Sequence, residues 1–171
     1  MSRRQARRFA ARLLGVLAAA VVVAAPPAAA AESEAVQKLP RFVSLRSDQV
    51  NLRVGPGENY PIEWVLTRKE MPVEIVKEFE NWRMIRDWQG TEGWVHERML
   101  TGKRAVVVKG GIRTLHRQPD PASPAVARAQ PGVIARLLEC RADWCRIDAA
   151  DHAGWVQRGD LWGVYPDEIV Q

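Results

Sequence analysis

Residues 82–95 decide the fold of this chain, and they read WRMIRDWQGTEGWV. Short strand-like runs that start at Trp82 and end at Val95 flank a turn containing Gly90, which is a β-hairpin signal. The same pattern returns at residues 144–156 as WCRIDAADHAGWV, and in each copy a Leu follows the Trp of Gly-Trp-Val by six residues. Two copies in register predict a tandem repeat of one small β unit.

Around the two hairpins, Gly and Pro residues divide the sequence into short segments, as is typical of β proteins. Gly and Pro recur often, and the runs between them are mostly five to eight residues long. In one such run Val73, Ile75 and Phe79 fall on the same face at period two, and residues 105–108 form a β-branched run. Many short strands separated by turn signals indicate an all-β barrel or sandwich.

Residues 1–31 have the composition of a secretory signal peptide. This segment holds five Arg and no acid, an apolar run over residues 13–25, and small residues at 29–31. A retained anchor is the alternative, but such a run spans only about 20 Å as a helix, against a hydrocarbon core of about 30 Å. We predict a periplasmic or secreted protein that begins near Glu32, with no membrane insertion after cleavage.

The charge of the remaining chain is balanced. The full sequence has 25 Lys and Arg against 20 Asp and Glu, and the five Arg of residues 1–31 account for its net charge of +5. The rest keeps 20 basic and 20 acidic residues, without a run of like charges. This balance gives no support to a basic, nucleic-acid-binding protein, so we expect no nucleic-acid partner.

The start of the first repeat carries the most specific motif, VNLRVGPGENY at residues 50–60. It resembles the opening of bacterial SH3-like domains, in which a first strand enters a broad loop through a Gly-Pro turn. The Trp and Gly-Trp-Val pair of each hairpin resembles the third and fourth strands of the same family. The resemblance covers residues 42–165 as two copies. The second copy has Gln118-Pro119-Asp120-Pro121 in place of Gly-Pro-Gly.

This resemblance implies two tandem, five-stranded SH3-like barrels that target or bind a ligand in the cell envelope, and it implies no enzymatic activity. We therefore divide the chain into a signal peptide (1–31), a lead-in (32–40), a first SH3-like domain (41–104) and a second one (105–171). The link between the domains is short, which predicts a docked pair.

Two cysteines, Cys140 and Cys145, lie at a spacing that suits the two strands of a hairpin. An exported protein meets an oxidising compartment, so we predict a disulfide between them. The alternatives are a zinc site that includes His152, or a catalytic thiol paired with His96, His116 or His152.

The candidate ligand-binding residues lie in the first repeat. Its broad loop holds Glu58, Asn59 and Tyr60, its hairpin tip holds Trp88, and the family layout places Trp82 between them. Rings of this kind can anchor a ligand in a shallow groove. Alternatively, Tyr60 and Trp88 cover the barrel or the interface between the repeats, and Trp82 has a core or lid role. The matching loop of the second repeat, residues 117–124, has prolines and no aromatic residue.

These features predict a non-enzymatic binding module for a cell-wall or peptide-like ligand. No spacing singles out an acid/base pair, and no phosphate-binding loop or Ser nucleophile context occurs, so we expect neither catalytic residues nor a metal or cofactor. The alternative is a scaffold that docks an envelope protein through a flat interface or an exposed strand edge.

Overall fold

The computed structural model of the protein describes residues 38–171. The predicted signal peptide and residues 32–37 of the predicted lead-in lie outside the described residues. Within 38–171 the regular structure is β-strand, apart from 3₁₀ turns at Glu97–Met99 and Arg158–Asp160. The all-β prediction is therefore confirmed.

Each repeat forms one antiparallel sheet of seven short strands. The strands of the first repeat are β1 (Arg41–Leu45), β2 (Val50–Arg53), β3 (Ile62–Leu66), β4 (Pro72–Phe79), β5 (Trp82–Arg86), β6 (Glu92–His96) and β7 (Leu100–Thr101). Those of the second are β8 (Ala105–Val108), β9 (Arg113–His116), β10 (Ala125–Ala129), β11 (Ile134–Arg141), β12 (Trp144–Ala149), β13 (His152–Gln157) and β14 (Leu161–Trp162). The sheet orders are β3-β2-β6-β5-β4-β1-β7 and β10-β9-β13-β12-β11-β8-β14, so the repeats share one topology.

Each sheet has seven strands instead of the five that the family resemblance implied. The difference lies at the ends of the repeats. Strands β1 and β8 precede the strand that opens the sequence motif, and β7 and β14 have two residues each. Two residues are too few to show an alternating pattern in sequence. Strand β1 pairs with β7, and β8 pairs with β14, so these extra strands hold the ends of each repeat together.

Each repeat also has its own apolar core. Val73 and Ile75 of β4 are 0% and 2% exposed, as their period-two pattern predicted, but Phe79 on the same strand is 51% exposed. The pairing of β4 with β5 shifts register between Ile75 and Lys77, and such a bulge changes the face on which later residues lie. The first core comprises Leu45, Val50, Leu52, Met71, Val73, Ile75, Ile85, Val95 and Leu100.

The Gly-Trp-Val motif recurs because its glycine lies where two strands approach closely. A Cβ at Gly93 would lie 2.5 Å from Cγ of Leu52 and 3.1 Å from a backbone oxygen of β2. A Cβ at Gly154 would lie 2.8 Å from Cβ of Leu115 and 3.1 Å from a backbone oxygen of β9. No larger residue fits in either repeat without displacing the neighbouring strand.

The two repeats contact each other directly, in line with the docked arrangement expected from their short link. The Phe42 ring lies 5.0 Å from that of Trp162 and 4.6 Å from that of Tyr165, measured between centroids. The Tyr165 hydroxyl donates a 2.8 Å hydrogen bond to Glu74 of the first repeat. Burial and this hydrogen bond raise the pKa of Tyr165.

Candidate functional site

A groove of about 220 Å³ runs beside Trp82 in the first repeat. It is called the first groove, and its walls come from the segment around β2, the broad loop, the β5–β6 hairpin and the following 3₁₀ turn. The lining residues are Gln49, Asn51, Arg53, Glu58, Trp82, His96, Arg98 and Met99. The groove thus combines one large ring with a polar and charged rim.

The aromatic part of the first groove is a pair of rings from two neighbouring strands. Trp82 and His96 are cross-strand partners of β5 and β6, and their ring centroids lie 5.4 Å apart at 64°. The His96 Nδ1 accepts a 3.2 Å hydrogen bond from the backbone N–H of Arg98. These contacts hold both rings in one orientation.

Two arginines and one glutamate form the charged part of the rim. Arg98 lies 3.4 Å from the Glu58 carboxylate, although both side chains are largely exposed. Arg53 donates a 2.6 Å hydrogen bond to the backbone oxygen of Tyr60. The broad loop is therefore tied to strand β2 at one point and faces the 3₁₀ turn at another.

The structure brings only some of the predicted site residues together. Glu58 and Trp82 line the first groove, whereas Asn59, Tyr60 and Trp88 are not among its lining residues. The Tyr60 ring packs over its own loop, since a Cβ at Gly55 would lie only 2.3 Å from that ring. The exposed Asn59 side chain also folds back, and its Oδ1 would lie 2.6 Å from a Cβ at Gly57.

Trp88 packs against the apolar core of the first repeat. It lies in the β5–β6 turn, where Asp87 Oδ1 accepts hydrogen bonds from the backbone N–H groups of Gln89 (2.9 Å) and Thr91 (2.8 Å). This Asp-based turn directs Trp88 back onto the barrel. Of the two roles open to Trp88 from its sequence position, its contacts are those of a barrel cover.

Sequence reasoning missed His96, Arg53 and Arg98 as groove residues. A hairpin centred on Gln89 pairs Trp82 with His96, so the register of the hairpin held a signal for His96. Arg53 lies on β2, which is distant from β6 in sequence but pairs with it in the sheet, where Arg53 is the partner of Trp94. A pairing between strands so distant in sequence has no local signature.

The second repeat has a groove of about 250 Å³ at the corresponding place, called the second groove. Trp144 takes the place of Trp82, Pro121 that of Glu58, and Gln157 that of His96. The lining residues are Ile112, Arg113, Thr114, His116, Pro121, Trp144, Val156, Gln157 and Asp160. As expected, the loop at residues 117–124 contributes no aromatic ring to the second groove. The strands of the second repeat contribute His116 and Trp144.

Trp144 of the second groove also packs against a histidine, but from the opposite wall. The ring centroids of Trp144 and His116 lie 5.8 Å apart at 89°. His116 ends β9, which corresponds to β2, so it occupies the place of Arg53. Its Nδ1 shares a 2.8 Å hydrogen bond with the backbone oxygen of Ser123 in the broad loop.

Cys140 and Cys145 are bonded to each other, which confirms the predicted disulfide. They are cross-strand partners of β11 and β12 and the only two cysteines in the sequence. The zinc and catalytic-thiol alternatives are therefore wrong for these residues. At the corresponding place in the first repeat, Glu78 pairs with Arg83, and their side chains lie 3.1 Å apart.

Two negative findings concern residues 38–171 alone. In that part of the chain, no group of three or more His, Cys, Asp or Glu side chains is placed to hold a metal ion. The same residues contain no helix with the length and apolar character that a membrane crossing requires.

The model of the bacterial SH3 domain matches residues 46–102 and, a second time, residues 109–163. The chain belongs to the bacterial SH3 domain family. The resemblance seen in the Asn-Leu-Arg and Gly-Trp-Val motifs is thereby confirmed, and the protein is a tandem pair of these domains.

No curated protein matches the chain significantly. Among solved structures, the chain is similar to NlpC2 from Trichomonas vaginalis (12% identity, TM-score 0.36, covering 75% of this chain and 50% of that one). It is also similar to NlpC1 from the same organism (12%, 0.33, 74% and 46%). A third match is an NlpC/P60 family protein from Bacillus cereus (13%, 0.32, 71% and 55%). The chain thus spans about half the length of these proteins.

Proposed function

We propose that this protein is an exported, non-enzymatic binding module of the cell envelope that holds a peptide-like or cell-wall ligand in the first groove. The observation that carries the proposal is the Trp82–His96 ring pair, which lies in a groove rimmed by Arg53, Arg98 and Glu58. Indole and imidazole rings combine an apolar body with a polar edge, so they can pack against a ligand and still hydrogen-bond to it.

The size of the groove limits what it can hold. Its volume of about 220 Å³ is below the range of about 300–1,000 Å³ that is typical of small-molecule pockets. A groove of this size accommodates one or two residues of a longer, extended ligand. Two arginines against one glutamate favour a ligand segment that carries a carboxylate.

The disulfide supports an extracytoplasmic location. Disulfides persist in oxidising compartments and are rare in the reducing cytosol. The Cys140–Cys145 bond is therefore what an exported protein would carry, and it agrees with the signal peptide predicted for residues 1–31.

Co-sedimentation with purified cell-wall sacculi tests the proposal. We expect the protein to be retained, and we expect Trp82→Ala and Arg98→Ala each to lower retention. Arg98 is an exposed residue, so its removal leaves the fold intact. Trp144→Ala is the matched control in the second groove and should bind normally. Normal retention of both first-groove variants, with unchanged melting temperatures, would refute the groove assignment.

Strand β3 supports a second candidate function, that of a scaffold which docks an envelope protein. Its apolar side chains point into solvent, with Ile62 46%, Trp64 56% and Val65 48% exposed. Among the described residues, β3 pairs with β2 alone and lies at the edge of its sheet. An open strand edge with exposed apolar side chains can pair with an extended segment of another protein.

Affinity purification from an envelope extract separates the two candidates. A scaffold would co-purify with one protein, and Val65→Lys on β3 would abolish this while sedimentation with sacculi is unaffected. If no protein co-purifies, or if Val65→Lys leaves the co-purifying protein in place, the edge-docking function is wrong.

A further inference from the structure

Each repeat of the described chain has an open strand edge. Strand β3 lies at the edge of the first sheet and pairs with β2 alone, and β10 lies at the edge of the second sheet and pairs with β9 alone. Of the nine large apolar side chains that are exposed in residues 38–171, four lie on these two strands. They are Ile62, Trp64, Val65 and Val126. Unpaired backbone groups beside exposed apolar side chains form a surface on which another strand can pair.

The two edge strands occupy the same position in their repeats but carry side chains of different size. The β2–β3 and β9–β10 pairs each contain one register shift at the same place, so Trp64, the partner of Leu52, corresponds to Ala127, the partner of Leu115. Strand β3 reads IEWVL, whereas β10 reads AVARA. One edge therefore presents bulky side chains, and the other presents mostly alanines, which leave room beside them.

An antiparallel pairing of β3 with β10 would match the two strands in size. When all five residues of each strand are aligned, three bulky side chains of β3 lie opposite three alanines of β10. These pairs are Ile62 with Ala129, Trp64 with Ala127, and Leu66 with Ala125. Cross-strand pairs of a large and a small side chain avoid crowding, and the interaction of such pairs is what stabilises a sheet.

The same register also matches the two strands in charge. It places Glu63 opposite Arg128, and Val65 opposite Val126. Glu63 and Arg128 are both exposed, and neither side chain has a hydrogen-bond or ion-pair partner among residues 38–171. Opposite charges that face each other across two strands attract, so each unpaired charge would find its partner on the other edge.

Other full-length pairings of these strands lack this match in charge. An antiparallel pairing of β3 with β3 sets Glu63 opposite Val65 and one Trp64 opposite another, and β10 with β10 sets Arg128 opposite Val126. A parallel pairing of β3 with β10 sets Glu63 opposite Val126, and parallel self-pairing sets like charges together. Only the antiparallel pairing of β3 with β10 joins the two charges.

We infer that β3 of one copy of this chain pairs with β10 of a second copy, in the antiparallel register that joins Glu63 to Arg128. The two strands do not pair within one copy, so the contact joins separate copies through two different edges. Neither strand lines the first groove, which makes the inference independent of the ligand proposed for that groove. It gives the β3 edge a second copy of the chain in place of the envelope protein of the scaffold candidate.

Sedimentation velocity of the purified protein over a concentration series at low salt tests the inference. We expect the wild type to associate increasingly as its concentration rises. Glu63→Arg and Arg128→Glu each set like charges opposite one another, so each variant alone should associate roughly 10-fold or more weakly. An equimolar mixture of the two variants should recover the association, because the reversed charge on β3 of one variant then faces the reversed charge on β10 of the other.

Asp167→Arg is the matched control, since it reverses an exposed acid outside both edge strands and should associate as the wild type does. All three variants should keep the wild-type melting temperature, because the side chains that they change are exposed. The inference is overturned if the wild type stays monomeric, if both edge variants associate normally, or if their mixture does not recover the association. A monomeric protein that loses a co-purifying envelope protein on Val65→Lys would assign the β3 edge to that protein instead.

Discussion

The first and second grooves have the same scaffold and differ in what lines it. In both, a Trp at the start of a strand packs edge-on against a histidine, yet His96 comes from the end of β6 and His116 from the end of β9. In the first groove Arg53 stands opposite His96, and in the second Gln157 stands opposite His116. The barrel constrains the place of the Trp, and the residues facing it have diverged.

This difference changes the charge of the two grooves. Arg113 and Asp160 of the second groove lie 3.1 Å apart and neutralise each other. In the first groove Glu58 faces Arg98, while Arg53 binds only a neutral backbone oxygen among the described residues. The first groove therefore retains a positive charge that the second lacks, which favours binding of an anionic ligand group to the first repeat.

The largest loss of stability is expected from substitutions at Gly93 and Gly154, where the two repeats are most alike. Gly93→Ala and Gly154→Ala each place a Cβ against the neighbouring strand, and we expect each to lower the free energy of unfolding by about 1–3 kcal/mol. Gly102→Ala is the control, since a Cβ there meets no atom within 4 Å. Urea unfolding measures all three. If only one of the two substitutions left the free energy of unfolding unchanged, the two barrels would not be equivalent at this position.

The cross-strand link in the hairpin of the second repeat is a disulfide, and the corresponding link in the first repeat is an ion pair. We expect the disulfide to contribute more to stability. Replacing both Cys140 and Cys145 by Ser should cost at most about 2 kcal/mol, as expected for a short closed loop. Glu78→Gln removes the corresponding ion pair with Arg83 and also the 2.8 Å ion pair with Arg41, and it should cost about 1 kcal/mol, because these side chains are partly exposed. Thermal melts under oxidising conditions compare the two, and equal losses would contradict the ranking.

Exchanging one residue between the grooves sharpens the functional comparison. His96→Gln gives the first groove the residue of the second, and we expect retention on sacculi to fall roughly fivefold, or about 1 kcal/mol. The reciprocal change, Gln157→His, should leave retention unchanged. A loss of binding in Gln157→His but not in His96→Gln would assign the ligand to the second repeat.

The smallest loss of stability is expected from removing the hydrogen bond between Tyr165 and Glu74, which joins the two repeats. Tyr165→Phe removes the hydrogen bond to Glu74, at an expected cost of about 0.5–1 kcal/mol. The folded-state pKa of Tyr165 is raised, first by burial and then by this hydrogen bond, above the unfolded value of about 10. The contribution of the phenol is therefore complete below pH 10 and is lost as the pH rises further towards the folded-state pKa.

Urea unfolding at pH 8 and at pH 10.5 tests whether the stability contributed by Tyr165 falls as the pH rises. The wild type should lose more stability between the two values than Tyr165→Phe does. A variant that loses as much stability as the wild type would show that Tyr165 does not couple the repeats through its hydroxyl.

Only part of the candidate groove could be predicted from local sequence. Glu58 and Trp82 were predicted together because one lies in the broad loop and the other opens the hairpin, and both line the first groove. Trp88 occupies a hairpin tip, which in sequence indicates exposure, yet Asp87 turns it onto the core. A side chain in a tight turn can point to either face, and the hydrogen bonds of the turn select one.

The sequence by itself determined the repeat, the all-β class and the disulfide. These depend on short-range patterns: the paired Gly-Trp-Val motifs, the period-two strands, and two cysteines at hairpin spacing. Only the tertiary structure decided the bulge that exposes Phe79 and the opposite origins of His96 and His116. The physical reason is that alternation specifies the face of a strand, whereas grooves and clefts are built from strands that pair across long stretches of chain.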